Sequence, residues 1–311
     1  MLWMALITAC AGEGGVRPVP RDTGLGTEVV DRIVQVSELA ADVLFVIDDS
    51  GSMKDDQTAL ALELPRFVST LEEWGVDYHV GVVTTDTEDD ATRGRLVGNG
   101  AARFVTPEVA DPVATLAELV QVGTQGAGVE RGLLAAWLTL EAQRNIEENR
   151  GFARPGVALS TVVISDEDDE SDSELTVGEF VDWYRGLRED PADVSFSAVV
   201  ALQSVGRSSR GRRYLSVASQ VGGVVMDINA GQWDKVLDGL GLRAAGLRSE
   251  FVLSRIPIAD TLDVTLERRV GEELQVIEVA SFRYEPLRNA VAIYRVPEAL
   301  DTVVIRYRTA D

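Results

Sequence analysis

The sequence predicts an α/β protein in which a doubly wound, mostly parallel sheet is followed by a small antiparallel, sandwich-like β module. Three observations carry this. Strand-like apolar runs alternate with helical periodicity over roughly two hundred residues, as a sheet covered by helices on both faces requires. Two of the runs, Val43-Leu44-Phe45-Val46-Ile47 and Thr161-Val162-Val163-Ile164, are continuous, the pattern of central strands buried on both sides. From Ser249 onward the period becomes two: Leu262, Val264 and Leu266, then Val291 and Ile293, then Val303, Ile305 and Tyr307. A module of about 60 residues is marginal alone, so it is expected to dock on the larger domain.

Composition narrows the function. A net charge of −22 over 311 residues argues against nucleic acid, which needs clustered Lys and Arg, and against electrostatic docking on anionic lipid. The single cysteine, Cys10, allows no intrachain disulfide. The single histidine, His79, removes multi-His zinc sites and most His-based catalysis, and within Tyr78 to Val83 it reads as a structural strand residue. No stretch has the length of a membrane-spanning helix.

Taken in order, residues 1–10 are apolar and end in Ile7-Thr8-Ala9-Cys10, which resembles the lipobox of a bacterial lipoprotein signal. The segment is shorter than such signals and lacks their basic start. The resemblance implies a lipid on Cys10 and a place at the bacterial cell envelope, on the outer membrane or periplasmic face. If the lipobox is not used, the protein is secreted, and the segment is an apolar N-terminus with an incidental cysteine. Residues 11–38, with Gly-Glu-Gly-Gly, Arg-Pro-Val-Pro and Thr-Gly-Leu-Gly, read as a flexible tether, and Ile33 to Leu39 is apolar enough for a short strand.

The main domain is expected over 39–247. After the strand at 43–47, Leu60, Leu64, Phe67, Val68 and Leu71 mark a helix in which Pro65 predicts a kink or restart. A strand follows at His79 to Thr84, then an acidic loop, an edge strand at Arg95 to Val97 and a helix from Pro112 to Val120. A Gly-rich loop, Gly123 to Gly128, opens a helix whose face carries Val129, Leu133, Trp137 and Leu140. After the strand at 161–164, Thr176 and Glu179 have capping-box spacing ahead of a helix bearing Phe180, Trp183 and Leu187. A strand at Val194 to Leu202, a helix closed by Gly222, a short strand at Val224 to Met226 and a helix over 232–247 complete it. Residues 248–311 form the β module.

Chemistry is expected where the buried strands end, because ligands of open α/β sheets sit beyond the carboxyl ends of the strands. The first run stops at Asp48-Asp49-Ser50-Gly51-Ser52, which offers oxygen donors only and so suits a hard cation. The same side chains would also suit capping of the next helix. Asp48-x-Ser50-x-Ser52 after a buried strand resembles the metal-ion-dependent adhesion site (MIDAS) of von Willebrand factor A (vWA) domains, as found in bacterial vWA-containing lipoproteins. Thr124 matches the threonine that the family supplies from a Gly-flanked loop, or it caps the helix that follows. The family often has a second threonine where this chain has Gly126. Asp166 matches the carboxylate closing the third loop, with Glu167 in place of the usual glycine and an acidic run, Asp168, Asp169, Glu170 and Asp172, read as a solvated loop, with a second cation beside the first as the alternative.

The resemblance implies a Rossmann-like vWA fold and a Mg²⁺ site, with Mn²⁺ or Ca²⁺ as alternatives. Ser50, Ser52 and Thr124 would ligate directly, with Asp48 and Asp166 close by or acting through water. It implies an open position for an acidic residue of a partner protein, whose surroundings should be basic to offset the acidic loop. Two other functions stand beside it: a metal-assisted hydrolase, and a structural envelope protein with no metal-dependent ligand. Against an enzyme, no general base pairs with Ser50 or Ser52, and no phosphate-binding glycine fingerprint occurs.

Overall fold

The computed structural model describes residues 26–35, 40–100, 102–244, 250–271, 273–286, 288–293, 297–298 and 300–309. Cys10 and the lipobox-like segment lie outside them. The chain runs through β1 (Glu28–Val34), β2 (Ala40–Ile47), α1 (Lys54–Glu73), β3 (Asp77–Thr84), β4 (Phe104–Val105), α2 (Pro112–Leu119) and α3 (Gly132–Trp137). It continues through β5 (Ala158–Ser165), α4 (Val177–Arg185), β6 (Val194–Val200), α5 (Arg212–Val221), β7 (Val225–Asp227) and α6 (Trp233–Ala244). The last strands are β8 (Glu250–Val252), β9 (Asp263–Val270), β10 (Glu273–Glu278), β11 (Phe282–Glu285), β12 (Ala290–Ile293) and β13 (Thr302–Arg308). Among the described residues no helix is long and apolar enough to cross a membrane.

The main sheet has the order β4-β3-β2-β5-β6-β7, parallel except for β4. Alternate residues of β2 serve opposite cores. Val43, Phe45 and Ile47 pack with α1, α2 and α6, and Leu44 and Val46 pack with α3, α4 and α5. All five are fully buried, which is why the run is continuous; each stabilises the fold by about 1.5–3 kcal/mol relative to exposure. From β2 the chain steps to β3 on one side and later returns to β5 on the other. The carboxyl ends of β2 and β5 therefore flank the topological switch point, the crevice where such sheets bind ligands.

Four local expectations are corrected. Pro65 neither kinks α1 into two helices nor restarts it: it lies on the exposed face of one continuous helix, where water can serve the carbonyl it frees. The antiparallel edge strand is Phe104–Val105, not Arg95 to Val97, which contributes one ladder-like bond from Val97 N to Val82 O (2.8 Å). Val129 precedes α3, which starts at Gly132. Residues 28–34 of the expected tether form β1, paired antiparallel with β13 from Glu28 opposite Arg308 to Val34 opposite Thr302. The Gly- and Pro-rich composition ends at Gly26, and Val29, Asp31 and Ile33 then alternate inward.

The β module stacks two antiparallel sheets, β1-β13-β9-β10 and β11-β12-β8, over a shared core that includes Phe251, Val264, Val291, Ile305 and Tyr307. It is tied to the main domain by Arg288, which pairs with Glu250 (2.6 Å) and donates to Ser219 O on α5 (3.0 Å).

Candidate metal centre

Three loops meet at the switch point. Beyond β2 the chain turns on Asp48, whose Oδ1 accepts from Ser50 N (2.8 Å) and whose Oδ2 accepts from Ser165 Oγ (2.7 Å) at the end of β5. Both strand ends are thus clamped by one buried carboxylate. Ser50 Oγ lies 3.1 Å from Ser52 Oγ, and Ser52 Oγ donates to Asp166 Oδ1 (3.0 Å). The helix-capping alternative does not hold here, because α1 has Met53 at its N-cap and no side-chain cap bond. Gly51 needs no positive φ, and a β-carbon there would meet open space.

The glycine loop is fastened to this turn by Gln57, a residue of α1 that the sequence did not single out. Its Nε2 donates to Asp48 O (3.0 Å) and Gly123 O (2.8 Å), and its Oε1 accepts from Gly123 N (3.2 Å). Gly126 N adds a bond to Asp49 O (3.0 Å). Thr124 is therefore held between two anchors, partly buried, although its side chain does not join the hydrogen-bonded set of Asp48, Ser50, Ser52 and Asp166. The glycine at 126 has a physical reason: a β-carbon there would stand 2.2 Å from Asp49 Oδ1. A second threonine at that place would have to displace this carboxylate or the loop itself.

Further acids crowd the site. Burial pushes Asp49 up to about 6, with Asp86 adding repulsion, and Asp56 in the first turn of α1 likewise to about 6, with Asp166 the next cause. Burial also raises Asp48, against the hydrogen bonds from Ser165 and Ser50. Glu130 is fully buried just before α3 and is pushed up to about 8, by burial first and then by the charge of Asp48. One of its oxygens accepts from Thr85 Oγ1; the other, like Asp49 Oδ1, has no hydrogen-bond partner. The cue in the sequence was a lone Glu between a glycine loop and an apolar run.

The acidic run after Asp166 is not simply solvated. Asp169 is buried, accepts from Leu133 N (2.9 Å) at the start of α3 and from Ser171 Oγ (2.8 Å), and pairs with Arg213 (2.8 Å). Asp168 Oδ1 accepts from Arg213 N (2.9 Å) in the first turn of α5. Both acids serve helix starts, where an anion meets the positive end of the dipole.

The donor set fits a small hard cation. Two oxygens on adjacent corners of an octahedron with ligands at 2.0–2.1 Å are about 2.8–3.0 Å apart, close to the span of an ordinary O–H···O hydrogen bond. The separations across Ser50, Ser52 and Asp166 are 3.1 and 3.0 Å. Among the described residues no group of three or more His, Cys, Asp or Glu side chains is arranged to hold a metal, so hydroxyl donors must complete any such site.

No protein-family model matches the chain, and no curated protein matches it. Solved structures are similar at low identity. A von Willebrand factor type A structure from Catenulispora acidiphila is 12% identical with a TM-score of 0.46, over 92% of this chain and 66% of that one. The pilus adhesin SpaC from Lactobacillus rhamnosus GG, in its open conformation, is 11% identical with a TM-score of 0.43, over 92% and 41%. Proximal thread matrix protein 1 from the mussel byssus is 13% identical with a TM-score of 0.41, over 73% and 52%. This chain thus spans no more than about two thirds of any of the three.

Proposed function

We propose that the chain is a divalent-metal-dependent protein-binding module of the adhesion or scaffolding kind, carried at the bacterial cell envelope. The observation that supports it is the row of oxygens from Ser50, Ser52 and Asp166, spaced as neighbouring corners of a Mg²⁺ octahedron at the mouth of the switch-point crevice. Ser50, Ser52 and Thr124 would hold the cation, with Asp166 beside them. A bound Mg²⁺ would supply an electrophilic position that a partner's carboxylate can fill. Asp48 has both oxygens engaged by Ser50 and Ser165, so its work is to fix the two strand ends and to lend charge through water.

Binding rather than catalysis is favoured by what surrounds the hydroxyls. Ser50 and Ser52 face each other and Asp166, and the one histidine is held at Phe152 O (3.0 Å) and against the Phe104 ring. No imidazole stands near either serine; the base in contact, which the sequence did not lead us to expect, is the Asp166 carboxylate accepting from Ser52 Oγ, and in this reading it serves the cation. The acids Asp49, Asp56 and Glu167 repel an acidic ligand, so the matching partner surface is one Asp or Glu framed by Lys and Arg. Envelope anchoring rests on the lipobox-like end at Cys10 alone. The test is a pull-down from the native envelope in Mg²⁺ and in chelator, with Thr124→Ala alongside. Partner recovery should need metal and fall in the variant; equal recovery in both buffers would refute recognition through the metal.

A further inference from the structure

The opposite end of the main sheet carries different chemistry. Near the N-terminal ends of β2 and β5, about 25 Å along the strands from Ser50, a cavity of about 350 Å³ opens beside Leu140, Leu159 and Leu187. That is within the range of small-molecule sites. Its basic wall is Arg144, Arg154 and Arg188, unexpected in a chain of net charge −22.

The three arginines are not equivalent. Arg154 is neutralised, bonding Asp42 (2.8 Å) and Asp77 (2.7 Å). Arg188 is half-buried and held by main chain only: Nε donates to Val157 O, Nη1 to Leu187 O (2.8 Å) and Nη2 to Arg154 O (3.2 Å). Carbonyl oxygens orient a guanidinium but do not cancel its charge, and a fork with five N–H groups retains donors for a ligand. Burial lowers the pKa of Arg188; Asp42, Tyr184 and Asp193 oppose this, and the nearby Arg144 adds to it. Arg144 is exposed, and its side chain makes no hydrogen bond or ion pair among the described residues. Two cations with no carboxylate in direct contact therefore face one cavity with an aliphatic wall, Asp42 and Asp193 acting on Arg188 only through space. Glu189 and Asp193 stand in the same lining and disfavour a large polyanion.

We propose that this cavity binds a small oxyanion, a carboxylate or phosphate group seated between Arg144 and Arg188, with any aliphatic part against Leu140, Leu159 and Leu187. The site is separate from the candidate metal centre, so its test runs on metal-stripped protein dialysed free of chelator, whose own carboxylates would compete. The intact protein is titrated by calorimetry with potassium phosphate and with sodium hexanoate, against potassium chloride at matched ionic strength. Saturable binding of at least one of the two anions is expected, and chloride should give none. Binding of phosphate alone marks a phosphate-type ligand, and binding of hexanoate alone marks an alkyl carboxylate. Arg188→Gln would break three main-chain bonds, so the diagnostic variant is Arg144→Gln, which breaks none. It should keep the melting temperature measured without anion and weaken binding tenfold or more. Absence of saturable binding by either anion, or undiminished affinity in Arg144→Gln, would overturn the proposal.

Discussion

Glu130 offers a test of how the buried acids shape stability. Its carboxyl is fully buried, one oxygen is unpartnered, and its pKa is raised from 4.5 to about 8. Between those values the folded chain keeps a proton that the unfolded chain has released. The contribution of this group is therefore fully present below about pH 4.5 and is lost as pH rises through about 8. At about 1.4 kcal/mol per pH unit, that interval corresponds to about 5 kcal/mol. Water entry and side-chain relaxation on ionisation reduce it, so about 2–4 kcal/mol is expected. Gln at this position stays neutral at every pH and can still accept the Thr85 hydroxyl. Urea denaturation of wild type and Glu130→Gln, in chelator at about pH 5 and about pH 9, measures the difference. Wild type should lose about 2–4 kcal/mol more than the variant across that range, and the variant should be the more stable protein at the alkaline end. Asp49, also raised, contributes to both slopes; because it and Glu130 repel each other, the difference between the two proteins reads Glu130 together with that coupling. Parallel pH profiles would refute the idea that Glu130 is carried as a neutral acid.

Other perturbations probe the scaffold. Gly126→Ala places a β-carbon against the Asp49 carboxylate, 2.2 Å from Oδ1, and must move either that acid or the Thr124 loop; calorimetry should show Mg²⁺ affinity weakened by about tenfold, and unchanged affinity would show that the loop's position is immaterial. Gln57→Ala removes its bonds to Asp48 O, Gly123 O and Gly123 N and should cost about 2–3 kcal/mol in urea denaturation, whereas a loss near zero would mean the two loops hold together without it. Arg213→Ala leaves Asp169 buried without its ion-pair partner, and a loss of about 3 kcal/mol at neutral pH is expected, largely rescued by adding Asp169→Asn.

The fold was legible because its central strands are buried on both faces, so Val43 to Ile47 and Thr161 to Ile164 stand out without any partner in view. Helix starts set by local chemistry were equally readable, and both halves of the Thr176–Glu179 capping box are present. β1 was legible only at its end, in the short strand expected from Ile33, whose positions 36–39 lie outside the described residues; its start was not, because its partner β13 lies some 270 residues away. At the candidate metal centre, Asp48, Ser50, Ser52 and Asp166 were readable from strand ends, and the structure brings all four into one hydrogen-bonded set. Thr124 stands beside that set rather than in it. Gln57 and Glu130 escaped because their roles depend on which loops the sheet brings together. The run after Asp166 looked solvated because charge in sequence does not reveal a buried Arg213 or the first turns of α3 and α5.

The most direct measurement is calorimetric titration of Mg²⁺ into the metal-stripped protein, with Asp48→Ala and Ser52→Ala alongside and their folding checked by circular dichroism. Saturable binding at one site is expected in wild type, with a rise in melting temperature that follows mass action. In both variants the heat and the melting shift should fall at least tenfold in apparent affinity while the spectrum is retained. Wild-type protein that gives no saturable heat, or folded variants that bind Mg²⁺ as wild type does, would contradict a metal centre built on Asp48, Ser50, Ser52 and Asp166.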